Sequence, residues 1–517
     1  MPKERTGRWM QLFKNIATVG FWTFLSRILG MFRDILLLAF FGVGPVLDAF
    51  IVAFRLPNMF RRFFAEGALS SAFVPMYSKK LADPNKASAF AGEVLSGLTV
   101  LLLFFTSLGM IFMPILIWIT AVGFTNGVRF ELAVEYGRVM FPYIFLVSLA
   151  ALISGILNAH GKFAVAAAAP IFLNVIIIVA LLGAWALGFD KAFLLVWSIP
   201  LAGIVQLLLL WWEAQKSDLK LKLVWPQLSS DIRKMVKIAI PAALANGVVQ
   251  INLLIGTIVA SFFPGAVSWL YSADRLYQLP VGLVGVSVSI VLLPELSKRL
   301  KVDDRPGARL AFSRASEISF ALSVPATVAL LVIPLPLVTA IFQHGAATQE
   351  DSQAIALACV IYSLGLPAFI LQKILQPLYF AQHDTETPFR FAIIAMLTNL
   401  ALAVGLMGPF GWLAPAVAVT FSAWVMAGLL VGGTRKFGEI AKISALSQSR
   451  MTRLGFSAIG MGAVLWAVDR LFNPLFDLNI SHISYGICLI ILGISVYLFF
   501  ACVSGVVSWH DIRRALE

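Results

Sequence analysis

Charged residues stand inside apolar stretches of this sequence, where they are costly. Residues 26–34 read Ser26-Arg27-Ile28-Leu29-Gly30-Met31-Phe32-Arg33-Asp34, and residues 48–66 carry Asp48, Arg55, Asn58, Arg61, Arg62 and Glu66. A third apolar stretch holds Asp274 and Arg275. At the centre of a bilayer each such charge costs about 2.5–3.5 kcal/mol even on the lenient insertion scale. A set this large therefore lines an aqueous cavity or pairs internally. The chemistry arginines offer there is anion binding. A planar guanidinium makes bidentate, charge-assisted hydrogen bonds to phosphate and stays charged at every relevant pH. The carboxylates Asp34, Asp48, Glu66 and Asp274 would hold the arginines in place, or form ion pairs that break during a transport cycle.

Helical spacing orders the set. Asp48, Arg55, Asn58, Arg62 and Glu66 step by 7, 3, 4 and 4 residues, which puts all five on one helix face. The opposite face (Phe50, Ala53, Phe54, Phe60 and Phe64) suits lipid or packing. Arg27, Gly30 and Asp34 share a face, with Arg33 to its side. Ser268, Ser272, Arg275 and Gly282 form another stripe, so Arg275 stands as the counterpart of Arg55. Bland explanations stand beside the functional one. Arg33–Asp34 and Asp274–Arg275 are adjacent pairs that a satisfied local network also accounts for, and Arg61 and Arg62 can snorkel. Lys373 is a lone intramembrane cation, a cavity charge or a snorkelling one. Pro57 removes the hydrogen bond to the Ala53 carbonyl and invites a kink, as do Pro280, Gly282 and Gly285. That fits transporter hinges, or the ordinary tolerance of Pro and Gly in membrane helices.

The elements that must position these residues are membrane-spanning helices. Of 517 residues, 60% are hydrophobic and 13% charged, against about 25% charged in soluble domains. Mean hydropathy is +0.90. Apolar runs of about 20 residues recur along the chain, without the strict alternation and short length of barrel strands. The fold class is all-α, with about fourteen spans at 16–42, 46–78, 91–122, 136–158, 164–188, 192–213, 236–262, 267–297, 311–333, 352–380, 389–409, 412–434, 453–472 and 483–505. The second and eighth exceed the length needed to cross and must tilt, kink or protrude. The N-terminal run is broken by Arg27 and Arg33 and reads as an uncleaved first span. From a cytoplasmic N-terminus, the inside segments hold about 28 Lys and Arg and the opposite loops about three (Arg129, Lys191 and Arg470). That asymmetry fixes the orientation, with both termini cytoplasmic. It also accounts for the net charge of +13 without nucleic acid, which is not an expected partner.

The two halves look related. Ala53-Phe54-Arg55-Leu56 matches Ala273-Asp274-Arg275-Leu276 at an offset of 220, and Pro75-x-x-Ser78-Lys79-Lys80 matches Pro294-x-x-Ser297-Lys298-Arg299 at 219. Pro142 and Pro367, and Asn174 and Asn399, sit 225 apart. Matches in order at nearly constant offset predict an internal duplication. Six spans per half make the repeats parallel, a transporter arrangement with the substrate path between halves. The expected division is 1–215, 216–436 and a two-span appendix at 437–517.

Enzyme signatures are missing: no Walker A, HExxH, GxSxG or donor-binding DxD in a soluble domain. Cys359, Cys488 and Cys502 lie far apart in apolar stretches and read as core residues. The five histidines fall at loops or span ends with no metal partner at ligand spacing. No cofactor and no metal are expected.

Three segments resemble the MurJ (MviN) family, lipid II flippases of the MOP exporter superfamily: SRILGMFRD (26–34), DAFIVAFRLPNMFRRFFAEGALSSAFVP (48–75) and SWLYSADRLYQLPVGLVGVSVSIVLLPELSK (268–298). The resemblance covers essentially the whole chain. It implies two pseudo-symmetric six-helix lobes around a cationic cavity, and a groove formed with helices thirteen and fourteen for an undecaprenyl tail. The family's essential arginines map onto Arg27, Arg33, Arg61 and Arg275, and its acids onto Asp34, Asp48 and Glu66. Arg55 stands where some members carry Lys. The motif favours Arg61 as the cavity residue, whereas helical spacing favours Arg62. Spans seven, eleven and twelve contain no Asp or Glu, so a carboxylate sodium site there is not expected. The implied partners are lipid II and membrane lipids, with the chain a monomer meeting cell-wall synthesis or division proteins in the bacterial inner membrane. The runner-up function is export of another polyprenyl-diphosphate-linked oligosaccharide. A drug–cation exporter calls for acidic cavity walls, a glycosyltransferase for catalytic carboxylates in a sizeable external loop, and a pure scaffold leaves the buried charges unexplained.

Overall fold

Side-chain caps set where several helices begin. Asp83 accepts from the N–H groups of Asn85 and Lys86, Asp190 from Ala192 and Phe193, and Asp304 from Gly307, while Thr348 and Asp351 cap one another reciprocally. Each satisfies donors that a helix's first turn leaves unpaired. The computed structural model describes residues 2–62, 71–125, 127–217, 219, 221–476 and 482–506, with side chains described from Thr18 onward except at 242–246, 248–249, 283–291 and 473–476. All regular structure among the described residues is helical. The chain divides into two compact units, 1–267 and 268–517.

The first unit contains α1 (Pro2–Phe41), α2 (Pro45–Arg61), α3 (Val74–Lys80), α4 (Pro84–Ile111), α5 (Met113–Thr120), α6 (Val128–Met140), α7 (Tyr143–Ala159), α8 (Phe163–Leu187), α9 (Lys191–Lys216) and α10 (Ser230–Ser261). At 1.5 Å per residue, α1 runs about 60 Å, twice the hydrocarbon thickness, so it projects beyond a single crossing. α1 packs on α8, α8 on α9, and α2 on α6 and α7. Phe73 stacks on Tyr77 and Phe90, at 5.3 and 5.6 Å between centroids, in a core with Leu95, Ile153 and Leu210. The connection from α9 to α10 is held against α4. Val224 N–H donates to Ser96 Oγ (2.8 Å) and Ser229 Oγ to Glu93 Oε2 (2.6 Å), and Lys80 pairs with Asp231 (2.7 Å). A Cβ on Gly92 would come within 2.7 Å of the Lys222 carbonyl oxygen, so that approach requires glycine. The compact unit runs to 267, past the division expected at 215, because α10 packs on α4, α5 and the turn at 122–124.

The second unit contains α11 (Ala266–Lys301), α12 (Arg305–Val332), α13 (Pro334–Phe342), α14 (Gln349–Ala381), α15 (Glu386–Gly405), α16 (Met407–Phe410), α17 (Ala414–Gly433), α18 (Ala445–Phe476) and α19 (His482–Val503). Tyr277 stacks on Tyr362 and Phe369, and Tyr379 OH donates to the Leu430 carbonyl (2.6 Å). α18 packs on α12, and α19 on α18 and α13. Tyr497 OH donates to the Ala321 carbonyl (2.8 Å), and a Cβ on Gly486 would overlap that of Ala340. Ion pairs tie α12 to the segment before α18 through Arg309–Glu439 (3.2 Å), α18 to α12 through Arg450–Glu317 (3.2 Å), and Lys436 to Asp384. Lys436 donates to Asp384 in the turn after α14 and holds its carboxyl at about 2, well below the usual carboxylate range.

Ten helical segments among the described residues are long and apolar enough to cross a membrane: 84–111, 128–159, 163–187, 191–216, 305–332, 349–381, 386–405, 407–441, 445–472 and 482–503. They coincide with spans three to six and nine to fourteen of the sequence. The other four spans fall in α1, α2–α3, α10 and α11. In α1, Arg27, Arg33 and Asp34 dilute the apolar run; α2 is only 17 residues long. Large apolar side chains such as Phe104, Ile111, Trp185 and Phe499 are exposed, the reverse of a soluble protein and the pattern of a lipid-facing surface. One expectation is corrected here. Cys359 is core and Cys502 half-buried, but Cys488 is exposed, on a helix that packs on α13 and α18 and leaves other side chains such as Ile487 and Ile491 uncovered.

Candidate functional site: the charged residues of α1, α2 and α11

On α1, Arg33 and Asp34 are both buried and paired. Arg33 donates through Nε (3.0 Å) and Nη2 (2.7 Å) to Asp34 Oδ1, and through Nη1 (3.0 Å) to Asn174 Oδ1 on α8. The Asn174 amide donates in turn to the Ser26 carbonyl (3.0 Å). Two of the three guanidinium nitrogens are thus committed to one carboxylate oxygen and the third to an amide oxygen. Arg27, one and a half turns earlier, is exposed. Helical spacing put Arg27 and Asp34 on a common face with Arg33 beside it. The structure instead joins Arg33 to Asp34, since neighbouring residues with long and short side chains can close a fork around one oxygen.

On α2, Asp48 is fully buried. Its Oδ2 accepts the Gly265 N–H (3.0 Å), in the turn after α10, and lies 3.6 Å from Arg129 Nη1 on α6. The Arg129 guanidinium also lies over the Phe124 ring, 4.5 Å from its centroid. Two turns on from Asp48, Arg55 Nη1 donates to the Leu253 carbonyl of α10 (3.1 Å), and Asn58 Nδ2 to the Phe54 carbonyl (3.2 Å). Arg61 is half-buried and Arg62 exposed. Glu66 and Phe64 lie outside the described residues. The aromatic face of α2 is packed rather than lipid-facing: Phe50 and Phe54 are buried and stacked (5.5 Å), and Phe60 meets Phe105 and Phe141 edge-on.

On α11, Arg275 is half-buried. Its Nη2 donates to Tyr271 OH (2.8 Å) and its guanidinium lies over that ring, 4.6 Å from the centroid. Asp274 accepts from Gln278 one turn on. Lys373 on α14 is exposed. The structure therefore joins Arg33 with Asp34, Asp48 with the first turn of α6, and Arg55 with α10. Sequence reasoning missed Arg129 and Asn174. Arg129 carried a signal, being one of the few basic residues in loops where the charge asymmetry disfavours them; Asn174 was visible only as a repeat marker. Among the described residues no group of three or more His, Cys, Asp or Glu is placed to hold a metal ion.

A polytopic helical fold with buried, hydrogen-bonded charges is one that solved membrane transporters share. An inward-facing multidrug MATE transporter of the MOP superfamily has the same fold (TM-score 0.69, 17% identity, covering 81% of this chain and 96% of that one). A lipid II flippase MurJ in an inward closed conformation matches more fully (TM-score 0.78, 27% identity, 94% and 98% covered). The sequence profile of lipid II flippase MurJ matches residues 37–485. Proteins described as probable lipid II flippase MurJ are 38% identical in Rhizobium meliloti strain 1021 (98% of this chain, 97% of that one) and 33% identical in Vibrio cholerae (98% and 98%). The chain belongs to the lipid II flippase MurJ family.

Proposed function

We propose that this protein moves lipid II from the inner to the outer leaflet of the bacterial inner membrane, by alternating access through an arginine-lined central cavity. Family membership over nearly the whole chain carries the reading, and the charge arrangement supports it. The diphosphate binds Arg27, Arg61, Arg62 and Arg275, the sugar–peptide head fills the aqueous space, and the polyprenyl tail stays in lipid beside α18 and α19. Arg33, Arg55 and Asn58 position those helices. Asp34 and Asp48 hold ion pairs, and Asp274 and Glu66 act with them as gating acids. Fourteen spans, lobes at 1–215 and 216–436, the appendix at 437–517 and cytoplasmic termini complete the architecture. The chain works as a monomer without a cofactor, alongside wall-synthesis or division proteins. An inside-negative potential favours outward movement of an anion by about 2.3 kcal/mol per charge per 100 mV, so a doubly charged diphosphate gains about 4.6 kcal/mol, less any countermovement of protein charge.

The test is transport of labelled lipid II in cells depleted of their own flippase, with the wild-type chain compared with Arg27→Ala and Arg275→Ala at matched membrane levels. Wild type restores flipping and both variants fail; collapse of the potential at constant pH and sodium stops it. Inactive wild type redirects the search to other polyprenyl-diphosphate-linked glycans. Active variants make those arginines structural.

A further inference from the structure

We propose that residues 222–229, between α9 and α10, form an interfacial anchor that docks on an anionic lipid surface. The segment has no helical or strand structure, and it displays its apolar side chains outward: Leu223 and Leu228 are largely exposed, and Trp225 is 85% exposed. They cannot turn inward. The backbone is fixed on α4 by the Val224–Ser96 and Ser229–Glu93 hydrogen bonds and by the close approach of the Lys222 carbonyl to Gly92. Leu221, just before, is the residue that enters the core. An extended stretch held rigidly with Trp and two Leu outward is built to meet an apolar phase.

Three helices give its depth. On α4, Glu93 is the last charge before eighteen uncharged residues, and the anchor is bonded at Glu93 and Ser96 and passes close to Gly92. On α9, the uncharged run ends at Trp211-Trp212-Glu213, and Lys216 lies over Trp212 at 5.2 Å. On α10, Arg233, Lys234 and Lys237 are exposed, and the uncharged run begins at Ile238. All three switches from charged to apolar fall beside the anchor, which puts it at the headgroup layer. Trp and Lys concentrate there, and irregular backbone still finds water there. Lys222 precedes the displayed Trp225 and Leu228 in the chain, exposed Arg233 and Lys234 follow them, and Arg233 Nε donates to the Leu228 carbonyl (3.2 Å). That mixture of cations flanking an aromatic and aliphatic wedge matches anionic headgroups over acyl chains. Assignment to the inner leaflet rests on the orientation proposed above; insertion does not.

The experiment places a nitroxide at 223, 225 or 228 by cysteine substitution in a variant without the three native cysteines. Position 302, an exposed turn residue, serves as the aqueous control. Each full-length protein is reconstituted in vesicles of phosphatidylethanolamine and phosphatidylglycerol, and accessibility to oxygen is compared with that to a water-soluble nickel chelate. An unchanged thermal midpoint confirms folding, which the exposure of Trp225 leads us to expect. The ratio of oxygen to nickel access at 225 and 228 is several-fold above that at 302. In the K222Q/R233Q/K234Q variant, or in vesicles of phosphatidylcholine alone, it falls toward the control. Nickel access at 225 equal to that at 302 overturns the anchor. Exclusion of both reagents overturns it too, in favour of cover by protein. Equal insertion without anionic lipid removes the headgroup preference.

Discussion

Asp48→Asn replaces a fully buried carboxylate by its neutral isostere. Asn keeps an oxygen that can accept the Gly265 N–H, so the main loss is the charge facing Arg129, whose own side chain is only 17% exposed. Removing one partner of a buried ion pair costs about 3–5 kcal/mol. The 3.6 Å separation is long for a charge-assisted bond, and Arg129 keeps the Phe124 ring. Both push the estimate down, toward the roughly 1.5–3 kcal/mol of a hydrogen bond to a charged group. The expected loss is therefore about 3 kcal/mol, measured by denaturant unfolding of the purified protein in detergent micelles. Arg129→Gln should cost a similar amount, because it removes the positive charge beside the buried carboxylate. The decisive measurement is the double variant. Removing both charges together takes away both halves of the ion pair at once, so D48N/R129Q should be more stable than the sum of the two losses predicts, by about 1–3 kcal/mol. Additive losses, or an Asp48→Asn protein as stable as wild type, would refute the view that this pair ties α2 to α6.

Asn174→Ala removes an acceptor of Arg33 and a donor to the Ser26 carbonyl. It should cost about 1–3 kcal/mol and lower flipping at matched membrane levels, whereas unimpaired transport would detach Arg33 from the mechanism. Between α7 and α8, His160 hydrogen-bonds Tyr77 (3.1 Å); partial burial, with Lys162 nearby, holds its imidazole below the ordinary 6.5. The unfolded chain then takes up the proton first. Stability is complete above pH 6.5 and declines as pH falls through the folded value, a slope that His160→Gln should flatten in thermal melts at pH 7.5 and 5.5. Gly486→Val drives a side chain into Ala340 and should destabilise α19 on α13 by about 1–3 kcal/mol, read as faster limited proteolysis of the C-terminal helices.

What the sequence disclosed, and what it withheld, follows the range of the forces involved. Hydropathy acts locally, so the ten helices long and apolar enough to cross a membrane among the described residues were all legible as apolar runs. The positions of Arg27, Arg33, Arg55 and Arg275 were legible because a charge in such a run is conspicuous by itself. Pairing is not local. Arg33 reaches Asn174 across 141 residues and Asp48 reaches Gly265 across 217, distances that no periodicity encodes. On α1 the adjacency of Arg33 and Asp34 already offered the local pair that the structure shows, whereas the shared-face argument set them apart. The packing of α10 on α4 and α5 was invisible for the same reason, since matches between short sequence segments carry no information about contact.

The pairings also divide labour among the arginines under the proposed function. A guanidinium binds phosphate through its fork, and Arg33 has already committed its fork to Asp34 and its remaining nitrogen to Asn174. Engaging a diphosphate would mean surrendering those bonds inside a buried site, where an unpaired carboxylate is costly. Arg55 is similarly engaged, with the backbone of α10. Arg27 and Arg62 are exposed, and Arg275 is half-buried, with Tyr271 giving its guanidinium a hydroxyl and a ring face. Substituting Lys tests this division without removing charge. Lys keeps the attraction but loses the planar fork. Arg33→Lys should fail chiefly through lost stability, because it cannot span Asp34 and Asn174 together. Arg27→Lys and Arg275→Lys should fold normally and flip lipid II more slowly. If Arg33→Lys is as stable as wild type while transport collapses, Arg33 contacts the cargo and the division drawn here is wrong.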